Sequence, residues 1–212
     1  MQHSKSLSKI NENLSWLNSN AKHAIELKET FSFPAYDESI REKIKGTYKV
    51  YCYKHCMFAL YFELIMSIMR MFDNYEDTAS FKTLFGYLSD EYISYYESKS
   101  NRKIKSEIKL ALNDYNKLNG SHLVARLKTV RHNMFAHTSM NFNKNQIAEY
   151  GYAEKLLDKT LPMLNNLNLI ILEKSEPFDK ISASWKLYAV EFWQSIIINS
   201  QQGQYSRSLR SG

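Results

Sequence analysis

The chain has 212 residues, 44% of them hydrophobic and 14% aromatic, enough to bury a substantial core in one domain. Six glycines and three prolines are too few for an all-β chain with its many tight turns. A formal net charge of +6 favours an anionic partner. Two cysteines, no apolar run long enough to span a bilayer and no charged-then-apolar leader at Met1–Lys9 together predict a cytoplasmic, reduced protein that stays off the membrane.

In chain order the pattern is a series of helices. Ser6 or Ser8 opens the first, which reaches about Glu29 with Ile10, Leu14, Leu17, Ala21, Ala24 and Leu27 on one face, and Pro34 stops it. Asp37 is placed to cap the longest helix, running to about Phe72. Its seam, Ile40, Ile44, Thr47, Tyr51, His55, Phe58, Phe62, Ile65, Met69, Phe72, alternates four- and three-residue steps. Packing along such a seam is expected to outweigh the roughly 1 kcal/mol that Gly46 costs. Cys52 and Cys56, one turn apart with His55 between them, lack a further ligand pair, so buried small side chains are expected there rather than zinc. His55 reads as a hydrogen-bonded core or interface histidine.

Arg70 and Asp73 are spaced to pair at the end of that helix, before the polar turn 73–77. Ser80 starts a third helix, to about Lys99, with an aromatic face of Phe81, Phe85, Tyr92, Tyr95 and Tyr96. Basic residues then dominate: Lys99, Arg102, Lys103, Lys105, Lys109, Lys117, Arg126, Lys128 and Arg131, answered only by Glu107 and Asp114, form either a track for an RNA backbone or an ordinary solvated face. Asn119-Gly120 ends the fourth helix and Ser121 is placed to cap the next. A helix from Asn145 to about Glu173 contains Pro162, which is expected to kink or split it. Glu176-Pro177 precedes a last helix, 179–199, and the Ser-, Gly- and Arg-containing stretch 201–212 reads as a disordered tail.

The chemistry concentrates in Arg131-His132-Asn133-Met134-Phe135-Ala136-His137. Leu123, Leu127, Val130 and Met134 keep the period of one helix face, and the next member of that series is His137. Imidazole titrates near neutrality and can move a proton in a transition state, while a guanidinium stays charged and matches phosphate oxygens. The pair suits metal-free phosphodiester cleavage; a hydrogen-bonded histidine and an arginine that solvates a helix edge or pairs with a carboxylate are the plain alternative. Residues six apart on a helix stand roughly 9 Å apart along the axis and about 120° around it, so one helix does not easily grip one phosphate with both. Two copies meeting across a twofold axis could, making the motif half of a composite site.

Arg131-His132-Asn133 followed by Ala136-His137 resembles the R-x(4–6)-H signature of the HEPN superfamily. Ile68-Met69-Arg70-Met71-Phe72-Asp73, with Asp77-Thr78-Ala79-Ser80-Phe81 behind it, resembles the R-x-x-D segment and following helix start of the abortive-infection U subfamily. The likeness extends from about Ile40 to Leu172. It implies an all-α HEPN-like bundle: one domain over 1–200, with a core of about 37–175 and flanking helices 6–29 and 179–199. It further implies a metal-independent endoribonuclease without cofactor, dimeric through the motif helix, acting on RNA, tRNA among the candidates, as a toxin or effector of antiviral defence with an antitoxin or defence-system partner. Arg131 and His137 would be catalytic, and His132, Asn133, Arg126 and Lys128 would support them or touch substrate. Arg70 and Asp73 would either support the active helix or form a helix-end ion pair. Thr138 and Ser139 follow His137 where the HepT-type toxins carry H-x-Tyr, so regulation through such a tyrosine is not implied. A catalytically inactive module binding RNA or a protein partner is the alternative.

Overall fold

A computed structural model describes residues 2–47, 49–74, 78–100, 102–136 and 144–208. They form α1 (Gln2–Tyr36), α2 (Glu38–Ile44), α3 (Lys49–Met71), α4 (Phe81–Tyr87), α5 (Asp90–Ser100), α6 (Lys105–Asn119), α7 (His122–Ala136), α8 (Lys144–Leu172) and α9 (Phe178–Ser208), with no strand among the described residues.

The face expected of the first helix is its core face: Ile10, Leu14, Leu17, Ala21 and Ala24 are fully buried. The stop at Glu29 is not observed, because α1 continues through Pro34 to Tyr36. Proline lacks the N–H that would bond the carbonyl four residues back. That carbonyl, on Thr30, instead accepts from the indole Nε1 of Trp193 at 2.9 Å, so α9 supplies the missing donor. Trp193→Phe is expected to leave the Thr30 carbonyl unpaired and cost about 1–3 kcal/mol, measured by denaturant unfolding.

The longest predicted helix is two helices. Asp37 does cap, accepting from Ser39 N at 2.8 Å, but the helix it opens ends at Ile44. Gly46 then takes φ +76°, a left-handed conformation open to glycine, and α3 restarts at Lys49. The expected seam is buried at Ile40, Ile44, Ile65, Met69 and Phe72, but just after the break Tyr51 and His55 are exposed, and Met57, Tyr61, Leu64 and Ile68 point inward as well. Cys52 and Cys56 are also exposed free thiols, contrary to the buried reading. Among the described residues no group of three or more His, Cys, Asp or Glu is placed to hold a metal ion.

A second split separates α4 from α5. Ser80 caps α4 through Thr83 N, and Ser89 then accepts from Tyr92 N at 3.3 Å, opening a new helix where one continuous helix was expected. Pro162, in contrast, neither ends nor divides α8. The stretch after Asn199, read as a tail, continues α9 as far as Ser208; it holds no proline and a single helix-weakening residue there, Gly203.

Helix α1 is the centre of the bundle, packing on α3, α8, α9 and α4, while α7 lies against α8 and α3. Contacts run in opposite chain directions: Asn18 meets Asn168, Lys28 meets Asp158 and Ser32 meets Tyr150, so α1 and α8 are antiparallel. Pro34–Tyr53 and His23–Glu63 make α1 and α3 antiparallel as well. The Asn18–Asn168 pair is fully buried and reciprocal, each carboxamide donating to the other at 2.8 Å. Removing one partner strands the other amide, so Asn168→Leu is expected to cost about 1–3 kcal/mol by denaturant unfolding, and Asn18→Leu with Asn168→Leu together less than the sum of the two.

Candidate functional site

Helix α7 begins where Gly120 ends α6 with its N–H on Asn116 O, and where the Ser121 carbonyl accepts from Ala125 N at 3.2 Å. The Ser121 hydroxyl does not cap as expected: its oxygen is buried and has no hydrogen-bond partner among the described residues. The helix is held by its apolar face, with Leu123, Val124, Leu127 and Val130 buried against α8 and α3. This packing fixes where the next residue, Arg131, leaves the helix.

Arg131 reaches across to α3. Its Nη1 lies 2.8 Å from Asp73 Oδ1, with 24% and 16% of the two side chains exposed. Asp73 can meet it because α3 stops at Met71: Phe72 N bonds Met69 O and Asp73 N bonds Arg70 O, a tightened last turn that carries the carboxylate off the helix. The expected Arg70–Asp73 pair is therefore not made. Arg70 turns back along α3 to Glu63 at 2.8 Å, and Ser67 and His23 also approach Glu63. The R-x-x-D segment does lie beside the motif helix, and its aspartate makes the ion pair to Arg131.

The other sequence-level candidates are spread around this pair. His132 and Arg126 are exposed and Lys128 is half-buried. The side chain of Asn133, and His137 as a whole, lie outside the described residues. The basic run is partly neutralised: Lys105 pairs with Asp90 at 2.9 Å, Lys117 with Asp114 at 3.6 Å and Arg102 with Glu173 at 3.0 Å. The hydrogen bond from Arg102 holds the Glu173 carboxyl below its usual range, and the Arg102 guanidinium is raised in return. The basic run from Arg102 to Lys128 is thus interrupted by carboxylates, Asp114 within it and Asp90 and Glu173 outside it. Glu63 was not read as relevant, and only its three-dimensional approach to Arg70 shows it.

The described helices thus form an antiparallel all-α bundle in which Arg131 of α7 is paired with Asp73, just beyond the end of α3. The family model described as AbiU2, of the HEPN group, matches residues 7–192, and the chain belongs to that family. The match is wider than the stretch from Ile40 to Leu172 and takes in most of α1 and the first half of α9. No curated protein and no solved structure matches the chain. No helix among the described residues is long and apolar enough to cross a membrane.

Proposed function

We propose that this protein is a metal-independent endoribonuclease of HEPN type, acting in the cytoplasm as the toxin or effector of an abortive-infection or toxin–antitoxin system. The observation that carries the reading is the Arg131–Asp73 ion pair, which holds Arg131 in place in a chain that belongs to the AbiU2 family of the HEPN group. His137 takes the proton from an RNA 2′-hydroxyl or gives one to the leaving 5′-oxygen. The 2′-oxygen attacks phosphorus as the P–O5′ bond breaks, leaving a 2′,3′-cyclic phosphate and a 5′-hydroxyl. Arg131 stabilises the charge that builds on the phosphate oxygens. A guanidinium carries five N–H donors, so the one nitrogen held by Asp73 does not exhaust it. His132, Asn133, Arg126 and Lys128 contact or orient the substrate, and Asp73 positions Arg131. The chain forms one domain over 1–200 and dimerises through α7, so that each site draws on two copies.

A second reading is favoured by the same ion pair: an arginine bound to a carboxylate is also what a structural salt bridge looks like. In that case the chain is an inactive HEPN module that binds RNA or a partner protein, an antitoxin or another defence component among them. Turnover separates the two. Purified protein incubated with total RNA and with tRNA should produce discrete fragments if the first reading holds; RNA binding without cleavage supports the second, and neither binding nor cleavage leaves a protein partner.

A further inference from the structure

Cys52 and Cys56 stand one turn apart on α3, both exposed and both free thiols. Cysteine behaves as a small apolar side chain and is among the residues most often buried, so two exposed on one turn are unusual. The surface around them is open: Tyr51 is 66% exposed, and His55 and Ala59 are exposed as well. The stretch 49–62 carries two lysines and no carboxylate. The sequence argues against zinc here for want of a further ligand pair, and among the described residues no third His, Cys, Asp or Glu joins these two within the chain. A second copy of the chain carries the pair that is missing.

Helix geometry favours a bridging ion over a disulfide. Residues four apart on a helix have Cβ atoms about 5–6 Å apart, beyond the roughly 3.5–4.5 Å that a disulfide spans. Zn–S bonds of about 2.3 Å at tetrahedral angles set two sulfurs about 3.8 Å apart, within reach of two thiols turned toward each other from that Cβ separation. One such pair fills two positions, and a closed structural zinc site takes four ligands. A twofold axis through the ion brings the identical pair to the other two positions, because an isologous contact sets the same patch of each copy face to face. We propose that Cys52 and Cys56 of two copies bind one zinc ion as a four-thiolate site that joins their α3 helices. Each thiol gives its proton to solvent as its sulfur binds, so Zn²⁺ and four S–H groups yield a complex of charge −2 and four protons. The ion holds copies together and takes no part in RNA chemistry, since Cys56 lies about 22 Å along α3 from Met71, where the helix ends just before Asp73.

The test is zinc titration of the full chain after EDTA treatment, removal of the chelator and reduction with a phosphine. Bound metal is counted by elemental analysis and particle mass is read by light scattering. Expected are one zinc per two chains, at least two chains in every zinc-bound particle and, with cobalt(II) in place of zinc, the absorption of a tetrahedral tetrathiolate. Cys52→Ser and Cys56→Ser each remove two of the four ligands and are expected to abolish binding at equimolar zinc. Both are exposed changes, so thermal unfolding of the metal-free chain should not move. One zinc held by a single chain, zinc binding that either variant leaves intact, or no binding at all overturns the proposal. RNA cleavage by wild type and Cys52→Ser keeps the ribonuclease reading separate: a chain that holds zinc without cutting RNA retains this site and loses that activity, and a chain that cuts RNA without holding zinc does the reverse.

Discussion

Arg131→Ala and His137→Ala are each expected to lower the rate of RNA cleavage by at least about 10²-fold, and up to about 10⁴-fold. On the proposed mechanism, the loss at His137 follows from removing the group that would move the proton, and that at Arg131 from uncompensated charge on the phosphate. Single-turnover kinetics on one defined RNA measures both. The two variants differ in stability. Arg131→Ala also strands the Asp73 carboxylate, which has 16% of its side chain exposed, and is expected to cost about 1.5–3 kcal/mol on that account. If each site draws Arg131 from one copy and His137 from the other, mixing the two inactive variants restores cleavage. Half of the dimers are then mixed and one of the two sites in each is whole, so roughly a quarter of wild-type activity returns. Sites contained within single chains would give no recovery.

The second large effect is expected at Asp73. Asp73→Asn keeps the shape of the side chain but removes the charge that holds Arg131 Nη1 at 2.8 Å, and is expected to slow cleavage by about tenfold to a hundredfold, as loss of precise placement does. A purely structural role would move stability without moving the chemical step. The distinguishing readouts are therefore kcat against KM and partial rescue by Asp73→Glu, which restores the charge at a slightly different reach. In a double-mutant cycle, the stability losses of Asp73→Ala and Arg131→Ala should fall short of additive, because each single variant already breaks the pair. Arg70→Ala, by contrast, breaks a pair with Glu63 that has about a third or more of each side chain exposed, and is expected to change stability by less than about 1 kcal/mol.

The helical class and the motif helix were legible because period and composition carry them: the face of α1, and that of α7 from Leu123 to Val130, are those the spacing implied. The breaks were less legible, for reasons that differ. At Gly46 a propensity argument weighed a small cost against packing, when the residue was in fact placed for a left-handed turn that re-phases α3 and exposes Tyr51, Cys52, His55 and Cys56. At Pro34 the local rule was overridden by Trp193, far along the chain, donating to the carbonyl that the proline leaves unpaired. No local pattern encodes that rescue. Arg70 and Asp73 illustrate the same limit at the candidate site. Their three-residue spacing favours a mutual pair, yet the end of α3 at Met71 sends the aspartate to Arg131 and the arginine to Glu63. Sequence placed the right residues near the motif without fixing which of them meet. The charge run after Lys99 was left open between a track and a solvated face, and Asp90 and Glu173, outside it in sequence, return to pair with Lys105 and Arg102.

The most direct measurement is to incubate wild-type protein and His137→Ala with the same RNA in excess EDTA and analyse the ends of any products. Cleavage by wild type alone, leaving 2′,3′-cyclic phosphate and 5′-hydroxyl ends, is the result expected of a metal-free Arg131–His137 site. Cleavage that EDTA abolishes, or that His137→Ala performs at the wild-type rate, would contradict it.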